Sequence, residues 1–304
     1  MTTSVVSPGQ LRLGVIFIAI AATLWGTVGI ATRALFLISD ANPLSVGFFR
    51  LALSSPVLLL ATYVTLGRAG LRIQGRDFWL MLGLGLSMAL YQVTYFAAIE
   101  RLGVTVAVLI ALCTCPVMVA VLAAPLLKER LTATVGIAMV LALVGTVLLV
   151  GGGPDLGRDR NQMMIGVMLA LGTGLSYAFV TMISRTLAPR YHPLQPISLG
   201  FTAGALMILP FALAGGLVLD YPPLGWLLLL HLGLIPTAFG YILFLRGMRT
   251  TSATVASILT LFEPLTSTIL AWWLFQERLG PLGLLGAALL LGAMFILMRG
   301  DRTS

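Results

Sequence analysis

The side chains with the greatest chemical potential lie inside long apolar stretches of the sequence. Glu263 is the only acidic residue near the centre of any such stretch, and a charged residue at the middle of a membrane helix costs about 3 kcal/mol. We therefore expect its carboxylate to face a wet cavity or a partner rather than lipid. Two roles are open: it binds a substrate amino group or carries a coupled proton, or it is a structural acid that is protonated or hydrogen-bonded to backbone groups freed by Pro264.

Ser87, Tyr91 and Tyr95 recur at every fourth residue, a spacing that places all three on one face of a helix. Stacked phenol rings suit an amphipathic, ring-bearing ligand, because each ring offers a flat apolar surface and a hydroxyl. Tyrosines also anchor helices at the membrane interface, but they do so at span ends, whereas Tyr91 lies past the middle of its apolar stretch. The pattern therefore predicts a substrate-binding face.

Further candidates for the same substrate-binding site are polar or aromatic residues of other apolar stretches, namely Trp25, Ser176, Tyr177 and Thr260. A buried indole N–H needs a hydrogen-bond partner. Trp25 therefore suits either a cavity or a contact between helices, and the same two alternatives hold for Tyr177.

Pro116 and Pro264 each remove a backbone N–H near the middle of an apolar stretch. Their equivalent positions predict matched kinks, which serve either as hinges of a gate or as fixed bends that only shape a cavity. Arg50 lies inside another stretch, where it either reaches out to the membrane interface or pairs with a carboxylate of the protein or of the substrate. The role of His231 is equally open.

The composition excludes most soluble functions. Of the 304 residues, 9% are charged and 59% are hydrophobic, with a net charge of +8, whereas about 25% of the residues of soluble domains are charged. A soluble protein of this size could not bury so much apolar surface. The excess arginines are scattered rather than clustered, so we expect no nucleic-acid binding. The sequence predicts an all-α integral membrane protein.

Ten apolar stretches have about the length that a helix needs to cross the roughly 30 Å hydrocarbon core. With ten transmembrane helices both termini share a side, and Lys and Arg are more numerous in the loops of that side, which places both termini in the cytoplasm. The predicted spans are residues 12–34, 43–66, 78–99, 104–127, 133–150, 163–186, 197–218, 224–246, 253–274 and 281–298.

The two halves of the chain resemble each other. Since each half has five spans, an odd number, the second half enters the membrane in the opposite orientation. This is the inverted-topology repeat of many secondary transporters, whose substrate site lies near mid-membrane between the halves. A duplicated scaffold without transport is the alternative. The matched segments are residues 43–48 with 196–201, and Pro116 followed by Glu129-Arg130-Leu131 with Pro264 followed by Glu277-Arg278-Leu279.

This arrangement resembles the drug/metabolite transporter superfamily of the EamA type. The resemblance rests on ten spans in two inverted five-helix halves, each with a proline in its fourth span and a Glu-Arg-Leu sequence after it, and it covers nearly the whole chain. With its aromatic third span, the sequence resembles most the YddG-type bacterial amino-acid exporters. The resemblance implies a central cavity built by spans 1, 3, 4, 6, 8 and 9, with spans 5 and 10 at the periphery.

The expected organisation is a cytoplasmic tail at residues 1–11, five-helix repeats at residues 12–150 and 163–298 joined by a loop at residues 151–162, and a second cytoplasmic tail at residues 299–304. The predicted location is the bacterial cytoplasmic (inner) membrane, as a multi-pass protein surrounded by the lipid bilayer. Nothing in the sequence requires an oligomer.

The expected function is secondary transport by alternating access, with export of aromatic or other bulky apolar amino acids and related metabolites. The alternatives are a multidrug or other metabolite exporter of the same fold, and an intramembrane enzyme that uses Glu263 or His231. The sequence has no G-x-x-x-x-G-K-[ST] phosphate-binding loop and no H-E-x-x-H metal motif. We therefore expect no ATP hydrolysis by this chain, no metal, no cofactor and no catalysis.

Overall fold

The computed structural model describes residues 8–127, 133–152, 159–251, 255–256 and 259–300. Within these ranges the regular elements are helices, and none of the residues lies in a β-strand. An apolar chain forms helices in a membrane because each helix satisfies its own backbone hydrogen bonds, which hydrocarbon cannot do. The all-helical class is confirmed. The Glu-Arg-Leu sequence at residues 129–131 and most of the predicted tails and connecting loop lie outside the described residues.

The eighth long helix, α8 (Pro223–Gly247), has three parts. The π-helical segment Gly233–Phe239 separates its two α-helical parts. Two short 3₁₀ helices, Gly67–Leu71 and Gly75–Asp77, connect the second long helix to the third. The long helices are, in chain order, α1 (Pro8–Ile38), α2 (Pro43–Leu66), α3 (Phe78–Leu102), α4 (Val104–Leu127), α5 (Ala133–Gly151), α6 (Arg160–Leu187), α7 (Leu194–Ala214), α8 (Pro223–Gly247), α9 (Phe262–Phe275) and α10 (Pro281–Gly300).

Eight helices of the described chain, α1 to α8, contain a stretch long and apolar enough to cross a membrane, and Pro281–Ile296 of α10 is a shorter apolar helix. The ends of α1 to α8 fall within four residues of the predicted spans. α9 covers only the second half of the predicted span at residues 253–274. The count of ten spans, the cytoplasmic termini and the opposite orientation of the halves stay predictions.

Helices of the first half pack directly against helices of the second half. The most extensive of these contacts join α3 and α4 to α6, α2 and α3 to α7, and α1 to α8 and α9. α5 packs mainly against α10, which agrees with the peripheral position expected for that pair. Where α1 meets α9, a Cβ at Gly26 would lie 2.8 Å from the carbonyl oxygen of Glu263. Only glycine allows the two backbones to come so close.

Glu277 ties the turn after α9 to the start of α4. Its buried carboxylate accepts hydrogen bonds from the backbone N–H groups of Val104 (2.9 Å) and Thr105 (2.8 Å). These groups lie in the first turn of α4, where they have no partner within the helix and where the helix dipole favours a negative charge. A Cβ at Gly103, which has a φ of +78°, would lie 2.7 Å from Glu277 Oε1. The Glu-Arg-Leu sequence of the second half thus caps a helix of the first half.

We expect Glu277→Ala to lower the free energy of unfolding by about 3 kcal/mol, because hydrogen bonds to a buried charge are lost and two N–H groups stay buried without acceptors. The check is the thermal unfolding midpoint of the purified protein in detergent. Glu100→Ala is the control, because Glu100 forms a partly exposed ion pair with Arg101 (3.0 Å) that contributes about 1 kcal/mol at most. Equal midpoints for Glu277→Ala and the control would contradict the capping role.

Candidate substrate site

Tyrosines from three helices meet in the interior. Tyr91 and Tyr95 of α3 are buried and stack, with ring centroids 5.7 Å apart and planes inclined by 8°. The ring of Tyr91 also lies 5.3 Å from that of Tyr177 of α6. The side chain of Tyr177 in turn lies near that of Tyr241 of α8. The fold thus brings together three of the residues that the sequence analysis selects, and it adds Tyr241.

Trp25 of α1 extends this group of rings. Its indole lies 5.2 Å from the ring of Tyr241 and 5.1 Å from that of Phe244. Trp25 Nε1 is buried without a hydrogen-bond partner in the described part of the chain. Buried indole N–H groups usually have a partner; this one packs close to Gly240, where an added Cβ would lie 3.1 Å from the indole nitrogen. We call the following residues the aromatic cluster: Trp25, Tyr91, Tyr95, Tyr177 and Tyr241.

Arg50 of α2 places a guanidinium group in the same interior. Its Nε donates to Thr237 Oγ1 (2.9 Å) and its Nη1 to Gln92 Oε1 (3.0 Å), and its Cζ lies 5.8 Å from the centre of the Phe96 ring. Only 4% of the residue is exposed. A charge at this depth costs about 3 kcal/mol, and these contacts offset part of that cost. The guanidinium therefore points into the protein rather than out to the membrane interface.

The hydrogen-bond acceptors of Arg50 are neutral. Over the described ranges, no Asp or Glu oxygen lies within 4.0 Å of its nitrogens. The guanidinium lies instead within side-chain hydrogen-bonding reach of the Tyr91 hydroxyl. Buried charges in proteins are normally paired with an opposite charge. Arg50 thus presents a cation to the aromatic cluster without a contacting carboxylate.

Glu263 lies in the first turn of α9, directly after a turn at Thr260 and Leu261 that interrupts the predicted span. Its half-buried carboxylate interacts electrostatically with Arg50 and with four tyrosines of the aromatic cluster. The start of a helix favours a negative charge, because the helix dipole is positive there. The acid and the arginine therefore act on the same aromatic cluster without contacting each other.

Pro116 and Pro264 lie in different backbone settings, and their role as hinges stays a prediction. Pro264 is the third residue of α9, where the N–H that a proline lacks would have had no partner within the helix. Pro116 lies inside the continuous helix α4. The backbone irregularities occur elsewhere, at the turn before Glu263 and in the π-helical segment Gly233–Phe239, which contains Pro236. Any hinge near the site is therefore built differently in the two halves.

The other predicted residues lie on α3, α6 and α8 and in the turn before α9. Ser87 donates to a backbone carbonyl one turn earlier in α3 (2.8 Å). Ser176 is buried in α6 directly before one of the clustered tyrosines, and Thr260 lies in the turn that precedes α9. His231 Nε2 lies 2.9 Å from Thr27 Oγ1 and connects α8 to α1.

Three residues of this arrangement are absent from the sequence-based selection: Gln92, Thr237 and Tyr241. Arg50 could have pointed to Gln92 and Thr237. A buried arginine needs hydrogen-bond acceptors, and uncharged polar residues of other spans can supply them. Tyr241 has no comparable signal. It follows the π-helical segment, whose wider turn changes which residues of α8 point inward.

A family model described as the EamA-like transporter family matches residues 12–151 and 164–299. The chain is 31% identical to the uncharacterized transporter YwfM of Bacillus subtilis (strain 168), over 94% of each chain. It is 30% identical to an uncharacterized transporter of Archaeoglobus fulgidus, over 95% of this chain and 97% of the relative. The uncharacterized inner membrane transporter YicL of Salmonella typhimurium is 25% identical, over 97% of this chain and 98% of the relative.

A solved crystal structure is similar to the chain in fold. The superposition gives a TM-score of 0.66 at 20% sequence identity, and it covers 96% of this chain and 99% of the other. At that identity the likeness concerns the arrangement of helices alone. The overall arrangement of helices is therefore one that a solved structure also shows.

We expect Thr237→Val to destabilise the protein by about 2 kcal/mol, because a buried charged donor of Arg50 loses its acceptor while the side-chain volume stays the same. Thr237→Ser is the matched control, since it keeps the hydroxyl. The comparison uses thermal unfolding in detergent. Equal midpoints for the valine and serine variants would show that the hydrogen bond to Arg50 contributes nothing to stability.

Proposed function

Since this chain belongs to the EamA-like transporter family, we propose that it is a secondary transporter that works by alternating access. We propose further that it exports aromatic or other bulky apolar amino acids and related metabolites across the cytoplasmic membrane. Membrane transport is the function that the family and its relatives share. The cargo, the direction and the mechanism are the proposal.

The observation that carries the proposed cargo is an aromatic cluster inside the protein, with Arg50 and Glu263 acting on it electrostatically. The ring of an aromatic amino acid stacks on Tyr91 and Tyr177, and the Trp25 N–H and the tyrosine hydroxyls supply hydrogen bonds. The Glu263 carboxylate binds the ammonium group, since charge-assisted hydrogen bonds are the stronger ones. A small polar solute would leave the rings without a partner.

In the proposed cycle, the α3–α4 and α8–α9 hairpins close alternately over this site. At one end of the hairpins, the bonds from Val104 and Thr105 to Glu277 already hold α4 against the turn after α9, so opening that end requires breaking them. The irregular backbone lies close to the site, in Gly233–Phe239 and in the turn before Glu263. Broken and π-helical segments are common at the binding sites of transporters.

An exporter of organic cations is the second candidate. Tyrosine faces next to a carboxylate also bind a quaternary ammonium group, through cation–π attraction and charge. The same site residues serve both candidates, so the choice between them depends on the transported solute. A quaternary ammonium drug therefore belongs in the first set of substrates to be tested.

We expect liposomes containing the protein to take up labelled tryptophan and phenylalanine with saturation, and serine poorly. Tyr91→Ala raises the half-saturation concentration for tryptophan about tenfold, because the loss of one aromatic contact costs up to about 1.5 kcal/mol. Tyr63→Ala is the matched control, since Tyr63 of α2 is 47% exposed and its loss should leave uptake unchanged. Unchanged uptake in Tyr91→Ala would contradict the site. No uptake of tryptophan and phenylalanine would contradict the proposed cargo, and uptake of the quaternary ammonium drug alone would favour the second candidate.

If Glu263 carries a coupled proton, an imposed pH gradient accelerates tryptophan uptake by the wild type and has no effect on Glu263→Gln, which has no proton to exchange. Glu100→Gln is the control and keeps the response, because Glu100 pairs with Arg101 away from the site. The measurement is the initial rate of uptake with and without the gradient. A gradient response that persists in Glu263→Gln would rule out Glu263 as the proton carrier.

A further inference from the structure

Arg50 has more hydrogen-bonding capacity than the protein uses. A guanidinium group has five N–H donors arranged as a planar fork. Gln92 and Thr237 accept from Nη1 and Nε, and the Tyr91 hydroxyl lies near the guanidinium group. Each of these acceptors is neutral. Among the described residues, the positive charge of Arg50 is therefore hydrogen-bonded but not paired with a negative charge. A planar anion with two oxygens is the group that such a fork binds best.

The position of Arg50 argues against a purely structural or interfacial role. The residue is 4% exposed, and Phe96 lies beneath its guanidinium at 5.8 Å, so the charge cannot reach lipid headgroups. Thr237 is buried and lies in the π-helical segment, and Gln92 is 1% exposed. These two side chains fix the guanidinium plane beside Tyr91. A fixed, desolvated arginine next to stacked rings is a preorganised anion site.

We propose that Arg50 binds the carboxylate of the transported amino acid while Glu263 binds its ammonium group, so that the site selects zwitterions. This inference rests on the proposed function and specifies its substrate class. Arg50 and Glu263 both act electrostatically on Tyr91 and Tyr95, and no ion pair joins the two among the described residues. An α-amino acid carries its two charged groups on one carbon, so one molecule can satisfy both residues while its ring contacts the tyrosines.

Gln92 and Thr237 are positioning residues in this proposal. They touch the guanidinium and not the substrate, and they hold its fork toward the aromatic cluster. Lysine cannot replace Arg50 in this geometry, because an ammonium group has neither the planar fork nor the two anchoring donors. Arg50→Lys therefore keeps the charge and loses the selectivity.

The experiment compares three indole solutes that differ only in charged groups: tryptophan, tryptamine, which lacks the carboxylate, and indole-3-propionate, which lacks the amine. Each competes with labelled tryptophan for uptake into liposomes containing the wild type. We expect tryptamine and indole-3-propionate to compete at least tenfold more weakly than tryptophan. In Arg50→Gln and Arg50→Lys, we expect unlabelled tryptophan to compete no better than tryptamine does. Arg68→Gln is the control, since Arg68 is exposed in the loop after α2.

The outcomes separate this inference from the proposed function. If tryptamine competes as well as tryptophan in the wild type, the carboxylate site is wrong and transport of aromatic amines stands. If Arg50→Gln keeps the wild-type preference, Arg50 is structural and the amino-acid cargo stands. If the wild type takes up no tryptophan, the proposed cargo and this inference both fail. Thermal unfolding identifies an Arg50 variant that does not fold. In that case, the competition of the three indole solutes in the wild type alone tests whether the site binds a carboxylate.

Discussion

The hydrocarbon interior of a membrane offers no hydrogen-bond partners, so every polar group inside a span must find one within the protein. Arg50 has the most demanding requirement of this kind. Its donors reach Gln92 on α3 and Thr237 on α8, so one guanidinium connects three helices around the aromatic cluster. A buried arginine without such acceptors would not be tolerated at this depth. The mutual positions of α2, α3 and α8 therefore depend on a charge as well as on apolar packing.

The same constraint explains where the helices are irregular. The Thr237 hydroxyl donates to the Leu232 carbonyl (2.7 Å), five residues earlier as in a π-helix, and its oxygen remains free to accept from Arg50. At the start of α9, the Glu263 N–H donates to the Thr260 carbonyl (3.0 Å) and the Leu265 N–H to the Leu261 carbonyl (3.3 Å), so the turn before the helix provides acceptors for these groups. Irregular backbone at membrane depth is tolerated only inside the protein or next to a cavity. Both irregular segments lie beside the polar residues of the site.

The positions of α1 to α8 can be predicted from hydropathy, because a membrane imposes one length and one polarity on every span. The stack of Tyr91 and Tyr95 can be predicted from spacing, since residues four apart share a helix face whatever the helix packs against. The break before Glu263 cannot be predicted in this way, because the residues around it are as apolar as those of a continuous span. The partners of Arg50 cannot either, because they come from two other helices and only tertiary packing selects them.

The charged residues of the site differ between the two halves. The position equivalent to Arg50 in the predicted repeat is Ala203, and the position equivalent to Glu263 is Cys115, a buried free thiol. Each half therefore contributes one charge, and the two charges are opposite in sign. An apolar ligand would fit a symmetric pair of halves in two orientations, whereas a ligand with one anionic and one cationic group fits in only one. In the proposed alternating-access cycle, such a substrate therefore keeps one orientation while the surrounding helices change the side from which it is reached.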